Sequence, residues 1–156
     1  KVDIAKYRYY DWMLTTPTMI LNTVIFFEYN KYLKLNKILT LTEFFNNHYS
    51  KIIKLFILNF FMLLFGFLQE IKKISIYYST SFGFIFFGFL FYYIYKYFVL
   101  DISDNYFIFY AMFIIWGLYG VAALFKNKIK NTLYNILDIF SKNFYALYIA
   151  FIVYNL

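Results

Sequence analysis

The stretch RYYDWMLTTPTMIL, residues 8–21, places an arginine and an aspartate three residues apart at the start of an apolar segment. After Asp11 no charged residue occurs until Glu28. With the turns around it, an uncharged run of this length is long enough for a helix that crosses a bilayer. The pattern therefore predicts a membrane-spanning helix with a charge pair at one end, and such charges in a membrane usually have a function.

The composition of the 156-residue chain is that of a membrane protein, with 63% hydrophobic and 28% aromatic residues. A soluble domain of this size could not bury so much apolar surface. With no cysteine and one histidine, the sequence offers no disulfide framework, and we expect no metal site. The net charge of +7 comes from lysines spread over several short loops. That distribution favours lipid headgroups over nucleic acid as the partner.

Uncharged runs between charged clusters predict five transmembrane helices. They lie at residues 12–27, 55–69, 74–95, 105–125 and 131–156, with loops of roughly 6 to 27 residues between them. Because backbone groups in lipid must be satisfied within each segment, we predict an all-α transmembrane bundle. No linker divides the chain, so residues 1–156 are interpreted as a single transmembrane domain that belongs to a longer protein.

Two charges interrupt the last run. Asp138 and Lys142 are four residues apart, so a helix places them on one face. Lys142 is too far from either end of the run for its amine to reach water easily. An ionisable side chain at such a position is a candidate functional residue. The alternative is an internal salt bridge that only fixes helix packing.

Four motifs in this order resemble the microbial (type 1) rhodopsins, especially the proteorhodopsin-like and viral members. They are RYxDWxxTTP from residue 8, MLLFGFLQE from residue 62, WxxY from residue 116 and DxxxK from residue 138. In that family the motifs belong to the third, fourth, sixth and seventh helices. The resemblance therefore implies a seven-helix retinal-protein bundle of which this chain holds five helices, the equivalents of the third to the seventh.

The resemblance implies that Lys142 carries all-trans retinal, covalently bound as a protonated Schiff base. Such a buried cation keeps its proton only beside an anion. Asp11 would be the counterion and proton acceptor, Asp138 the second counterion, and Arg8 the balancing charge one turn before Asp11. Thr15 would hydrogen-bond the Asp11 carboxylate, and the alternative is a bond from its hydroxyl to its own helix backbone.

Further residues match the family's retinal pocket, and any of them could instead serve core packing. They are Trp12, Thr16, Pro17, Met19, Met62, Gly66, Trp116 and Tyr119. Trp12 and Trp116 match the tryptophans that sandwich the chromophore, and Tyr119 matches a tyrosine that hydrogen-bonds the second counterion. For Met62 and Gly66, which match positions near the β-ionone end, the packing interpretation is equally open.

Asn22 bears on the choice between functions. It stands where proton-pumping relatives place a carboxylic acid that returns a proton to the Schiff base, and an amide cannot donate a proton at neutral pH. The resemblance thus implies a light-driven outward proton pump that lacks a carboxylic donor. The alternative is a light-gated cation channel with Asn22 as one polar wall, while a photosensor is less favoured and no enzymatic activity is expected.

The expected location is a plasma membrane or host cell membrane, crossed several times. The transported species would be protons or small cations, and a homo-oligomer is left open. Loop charges do not settle the orientation, but the topology of the family places the loop at residues 28–54 in the cytoplasm. His48 falls in that loop, where we expect it to be solvated at the interface.

Overall fold

The structure is a computed structural model that describes the backbone of residues 4–154 and the side chains of residues 6–143 and 145–150. Within these residues the chain is helical and forms no strand, which confirms the all-α prediction. The predicted last span runs to residue 156, and its final two residues lie outside the described part. Two compact units, Lys1–Phe109 and Tyr110–Leu156, are each considered on their own.

The first unit is built from three long helices and two short irregular turns. These are α1 (Ile4–Lys34), α2 (Leu41–Glu70), α3 (Ile76–Ile94), a π-helical turn (Tyr95–Val99) that continues α3, and a 3₁₀ turn (Ser103–Asn105) that leads into α4 (Tyr106–Ala122). The helix α2 packs against both α1 and α3. Pro17 lies inside α1, which continues through it as membrane helices often do.

The first two helices extend well beyond the uncharged runs. The long loop expected at residues 28–54 is reduced to residues 35–40, because α1 continues to Lys34 and α2 already begins at Leu41. Charged side chains at these ends are therefore carried on helices that pack against each other. This extension places His48 on α2 rather than in a loop.

Local hydrogen bonds explain where these two helices end and begin. Asn36 has a φ of 52°, and the N–H of Lys37 donates to the carbonyl of Tyr32 at 2.9 Å, which is a Schellman-type helix end. At the start of α2, the hydroxyl oxygen of Thr40 accepts from the N–H of Glu43 at 3.2 Å. Thr-x-x-Glu is the sequence of a capping box, which favours a helix start at this point.

Three helical segments are long and apolar enough to cross a membrane by length and composition. They are Leu41–Glu70, Ile76–Val99 and Ser103–Ala122, and they contain or overlap the second, third and fourth predicted spans. The first and fifth predicted spans are helical as well, but among the described residues they do not reach the same hydropathy criterion. These two spans contain several of the polar residues proposed for function, among them Asn22, Asp138 and Lys142.

Asn105 ties the end of α1 to the π-helical turn. Its side chain is fully buried, and its amide nitrogen donates to the carbonyls of Phe27 at 3.1 Å and Phe98 at 2.8 Å. Its amide oxygen accepts from the side chain of Asn30 at 2.8 Å. Because a π-helical turn leaves carbonyls without their usual helical partners, this buried amide stabilises the turn and fixes the adjacent end of α1.

The second unit contains the rest of α4 and one continuous helical rod. The rod consists of α5 (Asn127–Asp138), a π-helical segment (Ile139–Phe144) and α6 (Tyr145–Tyr154). Lys142 lies within the π-helical segment. Single π-helical turns inside α-helices are frequent at functional sites. The π-helical segment therefore agrees with the prediction that Lys142 is a functional residue.

Candidate functional site

The residues predicted to surround the proton acceptor share one stretch of α1. Arg8 and Asp11 are one turn apart, with Arg8 half-buried and Asp11 exposed. The hydroxyl of Thr15 donates to the main-chain carbonyl of Asp11 at 3.0 Å. Of the two interpretations of Thr15, the structure thus shows the bond to its own helix backbone and not one to the carboxylate.

Thr16 links the first two helices through a buried amide. The side-chain nitrogen of Asn59 donates to the Thr16 hydroxyl oxygen at 2.8 Å, and that hydroxyl donates to the carbonyl of Trp12 at 2.7 Å. Asn59 is 1% exposed. Asn59 was not among the residues predicted from the sequence, although an amide in an apolar run is a usable signal, because a polar group in such surroundings needs a partner.

Packing explains two of the positions assigned to the pocket. Trp12 is buried and meets the ring of Tyr9 edge to face at 5.0 Å between centroids. A Cβ atom on Gly66 would lie 2.5 Å from the Tyr9 hydroxyl, so the glycine makes room for that tyrosine. The packing interpretation therefore accounts for Gly66, while Met19 and Met62 are both half-buried.

Asn22 lies on the same helix as Asp11 but much further along it. Eleven residues separate the two, which corresponds to about 16 Å along the helix axis. The Asn22 side chain is exposed in this structure.

In the second unit, the Tyr119 hydroxyl contacts both the Asp138 carboxylate and the Ser141 hydroxyl. The Tyr119 hydroxyl donates to Asp138 Oδ1 at 2.7 Å, which is the hydrogen bond that the resemblance implied. The same hydroxyl oxygen is 2.7 Å from Ser141 Oγ. A phenol has one proton and an ionised carboxylate can only accept, so Ser141 must be the donor to Tyr119.

Lys142 Nζ lies 4.0 Å from Asp138 Oδ1, and the two side chains are 27% and 23% exposed. The spacing of four residues thus brings the pair together as the sequence predicted, although the intervening turn is π-helical. A primary amine beside a carboxylate in an apolar rod has the chemistry needed to hold an aldehyde cofactor as an imine. Trp116, on the unit's other helix, is buried.

A second cluster of charged groups joins α1 to α2. His48 Nε2 is 3.3 Å from Glu28 Oε1, and these side chains are 8% and 5% exposed. The expectation that His48 is solvated is therefore wrong, because the extended helices enclose it. Lys31 Nζ approaches Glu28 Oε1 at 3.6 Å, and Lys51 Nζ approaches His48 Nδ1 at 3.3 Å. Among the described residues, no group of three or more His, Cys, Asp or Glu could hold a metal ion.

Comparison with known proteins identifies a family and a similar solved structure. The family described as "Bacteriorhodopsin-like protein" matches residues 2–156. The crystal structure of viral rhodopsin OLPVRII is similar to this chain with a TM-score of 0.84 and 34% sequence identity, over 98% of this chain and 68% of that one. No curated protein matches the sequence.

Proposed function

The chain belongs to the bacteriorhodopsin-like family, as a microbial rhodopsin of the viral subgroup, and from this premise we propose that it is a light-driven outward proton pump without a carboxylic proton donor. Its membrane-spanning helices make it an integral membrane protein in a lipid environment. The observation that carries the proposal is the Lys142 amine 4.0 Å from Asp138, whose carboxylate accepts from Tyr119.

Proteins of this family generally bind retinal, and Lys142 Nζ is the proposed attachment atom. When all-trans retinal is bound there as a protonated Schiff base, it supplies photoisomerisation and makes the nitrogen ready to lose its proton in light. Asp138 contributes negative charge next to this nitrogen. The hydrogen bonds from Ser141 to Tyr119 and from Tyr119 to Asp138 keep that carboxylate oriented.

Asp11 is the proposed acceptor of the proton that Lys142 Nζ loses. A carboxylate can accept such a proton. Asp11 is then neutral, and the proton is less readily returned to Lys142 Nζ. Arg8, one turn away on the same helix, balances the charge of Asp11 while it is ionised. The indole rings of Trp12 and Trp116 are proposed to hold the cofactor and to exclude water.

Asn22 favours a second candidate function, the light-gated cation channel. Its amide cannot return a proton to Lys142 Nζ, so an efficient pump would need another source. An exposed amide suits a polar path for cations. The pump remains the first choice because Asp11 and Arg8 provide an acceptor with its counter-charge, which a passive path does not require.

Voltage-clamped photocurrents of the full-length protein with retinal would separate these functions. A pump gives a current that stays outward across voltages, whereas a channel gives a current whose sign reverses with the cation gradient. Lys142→Ala should remove the current, while Lys126→Ala, at an exposed lysine, should keep it. A coloured protein with no photocurrent under any gradient would contradict both transport functions.

A further inference from the structure

The cluster of Glu28, His48 and Lys51 is built as a buried acid–base site. His48 Nε2 faces Glu28 Oε1 at 3.3 Å, and Lys51 Nζ faces His48 Nδ1 at 3.3 Å. The rings of Phe44 and Phe98 lie 5.2 Å from the imidazole ring, centroid to centroid. Aromatic walls and low exposure make each of these contacts stronger than it would be in water.

The contacts determine which nitrogen of His48 carries the proton. An ammonium group has only donors, so His48 Nδ1 must accept from Lys51 and cannot itself be protonated in this arrangement. The ring proton then sits on Nε2 and is donated to Glu28 Oε1. His48 is thus neutral, with its second basic nitrogen covered by a side chain that can move.

Lys51 has an alternative partner when it leaves His48. Its Nζ already lies 5.1 Å from the centroid of the Tyr97 ring and 5.9 Å from that of Phe98, distances at which a cation is attracted to an aromatic face. Protonation of Nδ1 would turn the imidazole into a cation in contact with the Glu28 carboxylate. The cluster therefore has two states that differ by one proton. In one, His48 is neutral and contacts Lys51; in the other, His48 is a cation and Lys51 lies against the aromatic rings.

The charges around the cluster allow the proton to be released as well as bound. Lys31 and Lys51 contact the pair directly, so two cations oppose a lasting second proton on His48. Other charged or titratable groups at this end have partners of their own: Tyr32 contacts Glu43, Lys34 contacts Asp104, and Lys96 contacts the Tyr97 ring.

The position along α1 suits proton supply. Glu28 lies 17 residues beyond Asp11, about 26 Å along the helix, and six residues beyond Asn22, about 9 Å. An outward pump passes its proton toward Asp11, so replacement protons must come from the opposite end. Val24 and Phe27, both fully buried, separate the Asn22 level from the cluster, so transfer across this stretch needs water to enter it.

We propose that Glu28, His48 and Lys51 form a proton-loading site that supplies the proton which Asn22 cannot donate. In loading, a proton from solvent forms an N–H bond at His48 Nδ1 while Lys51 moves away. In unloading, that N–H bond breaks, the proton passes to water, from which the N–H bond at Lys142 is reformed, and Lys51 returns. The transfer of this proton to Lys142 rests on the proposed pump, whereas the loading of His48 does not.

Nitrogen-15 NMR of the dark protein tests the loading step without light. The His48 signals would be assigned by their loss in His48→Gln. At neutral pH the proton should be on Nε2 only, and acid should add one to Nδ1. In Lys51→Met, which keeps the length but removes the ammonium, that addition should occur at higher pH. A neutral ring protonated on Nδ1, or an unchanged titration in Lys51→Met, would overturn the proposal.

Flash photolysis tests the supply step, with Ser50→Ala on the exposed face of α2 as the matched control. Recovery of the light-induced state that lacks the Lys142 proton should speed up in acid and then level off once His48 is loaded. His48→Gln and Glu28→Gln should lose this plateau and recover roughly tenfold more slowly or worse at neutral pH, since a positioned acid contributes at least that much.

Failure of the two proposals would be distinguishable. If His48→Gln recovers like Ser50→Ala at every pH, the loading site is refuted while the pump stands. If the unmodified protein forms no state that lacks the Lys142 proton, the pump is refuted, and the NMR titration still decides whether the cluster binds a proton as described.

Discussion

The two charged clusters of this protein place a carboxylate beside a base in different ways. Asp138 and Lys142 share one rod, at 4.0 Å and about one quarter exposed, whereas Glu28 and His48 join two helices at 3.3 Å and are almost fully buried. The rise of a single helix sets the first distance, and the packing of α1 on α2 sets the second. The lysine proposed to carry retinal thus depends on local geometry, while the cluster proposed to load protons depends on tertiary structure.

The largest effect should come from removing the reactive amine. Lys142→Ala should abolish visible colour completely, since it removes the proposed attachment atom of retinal, whereas His48→Gln should keep the colour. Absorption spectra of the full-length proteins with retinal would test this difference. A visible band in Lys142→Ala that resists hydroxylamine in light would contradict the assignment of the cofactor site.

An acid at position 22 of α1 should make the supply of protons independent of His48. Asn22→Asp should speed recovery of the proton at Lys142 by about a hundredfold at alkaline pH, within the range of a positioned general acid. The rate should also become nearly independent of pH around neutrality. Flash photolysis between acid and alkaline buffer is the measurement, and Asn22→Gln, which keeps an amide, is the control. If the recovery rate of Asn22→Asp depended on pH as strongly as that of the control, an acid at position 22 would not be supplying the proton.

Burial should decide which ion pair matters for stability. Glu28→Ala leaves the buried His48 Nε2–H without its acceptor, so we expect the free energy of unfolding to fall by about 1–3 kcal/mol. Asp104→Ala breaks the exposed pair with Lys34 at 3.2 Å and should cost about 0–1 kcal/mol. Denaturation of both variants in the same detergent would measure the difference. Equal losses would mean that the packing of α1 on α2 does not depend on the buried cluster.

A small effect on both stability and colour should follow from removing one hydroxyl. Tyr119→Phe deletes the donor to Asp138 and should cost about 0.5–1.5 kcal/mol, the usual net value of a hydrogen bond. The carboxylate charge then acts more fully on the neighbouring cation, so absorption should move slightly to shorter wavelength. Tyr77→Phe, at an exposed tyrosine, is the control for both thermal denaturation and the spectrum. A shift to longer wavelength would contradict this role of Tyr119.

Those features of the fold that depend on neighbours in sequence could be predicted. Long uncharged runs were sufficient to identify three of the membrane-spanning segments. The spacing of Asp138 and Lys142 placed them together because a helix brings residues four apart onto one face. The partner of Tyr119 came from the resemblance to a family and not from periodicity.

Contacts between distant residues could not be predicted. Nothing in the spacing of residues tells which helix will face His48, so its contact with Glu28 emerged only from the packing of α1 on α2. The same holds for the bond from Asn59 to Thr16. The uncharged runs also did not locate the helix ends, because a cap such as Thr40 allows a helix to begin among charged residues.

The close approach of Tyr9 to Gly66 restricts the order in which these two residues can be substituted. Any side chain at Gly66 would collide with the Tyr9 ring, which also packs against Trp12 and Phe67. A replacement of Tyr9 by a smaller residue must therefore precede enlargement at Gly66. Libraries that randomise Gly66 alone should return mostly glycine, whereas libraries that vary both positions should return pairs of roughly constant summed volume.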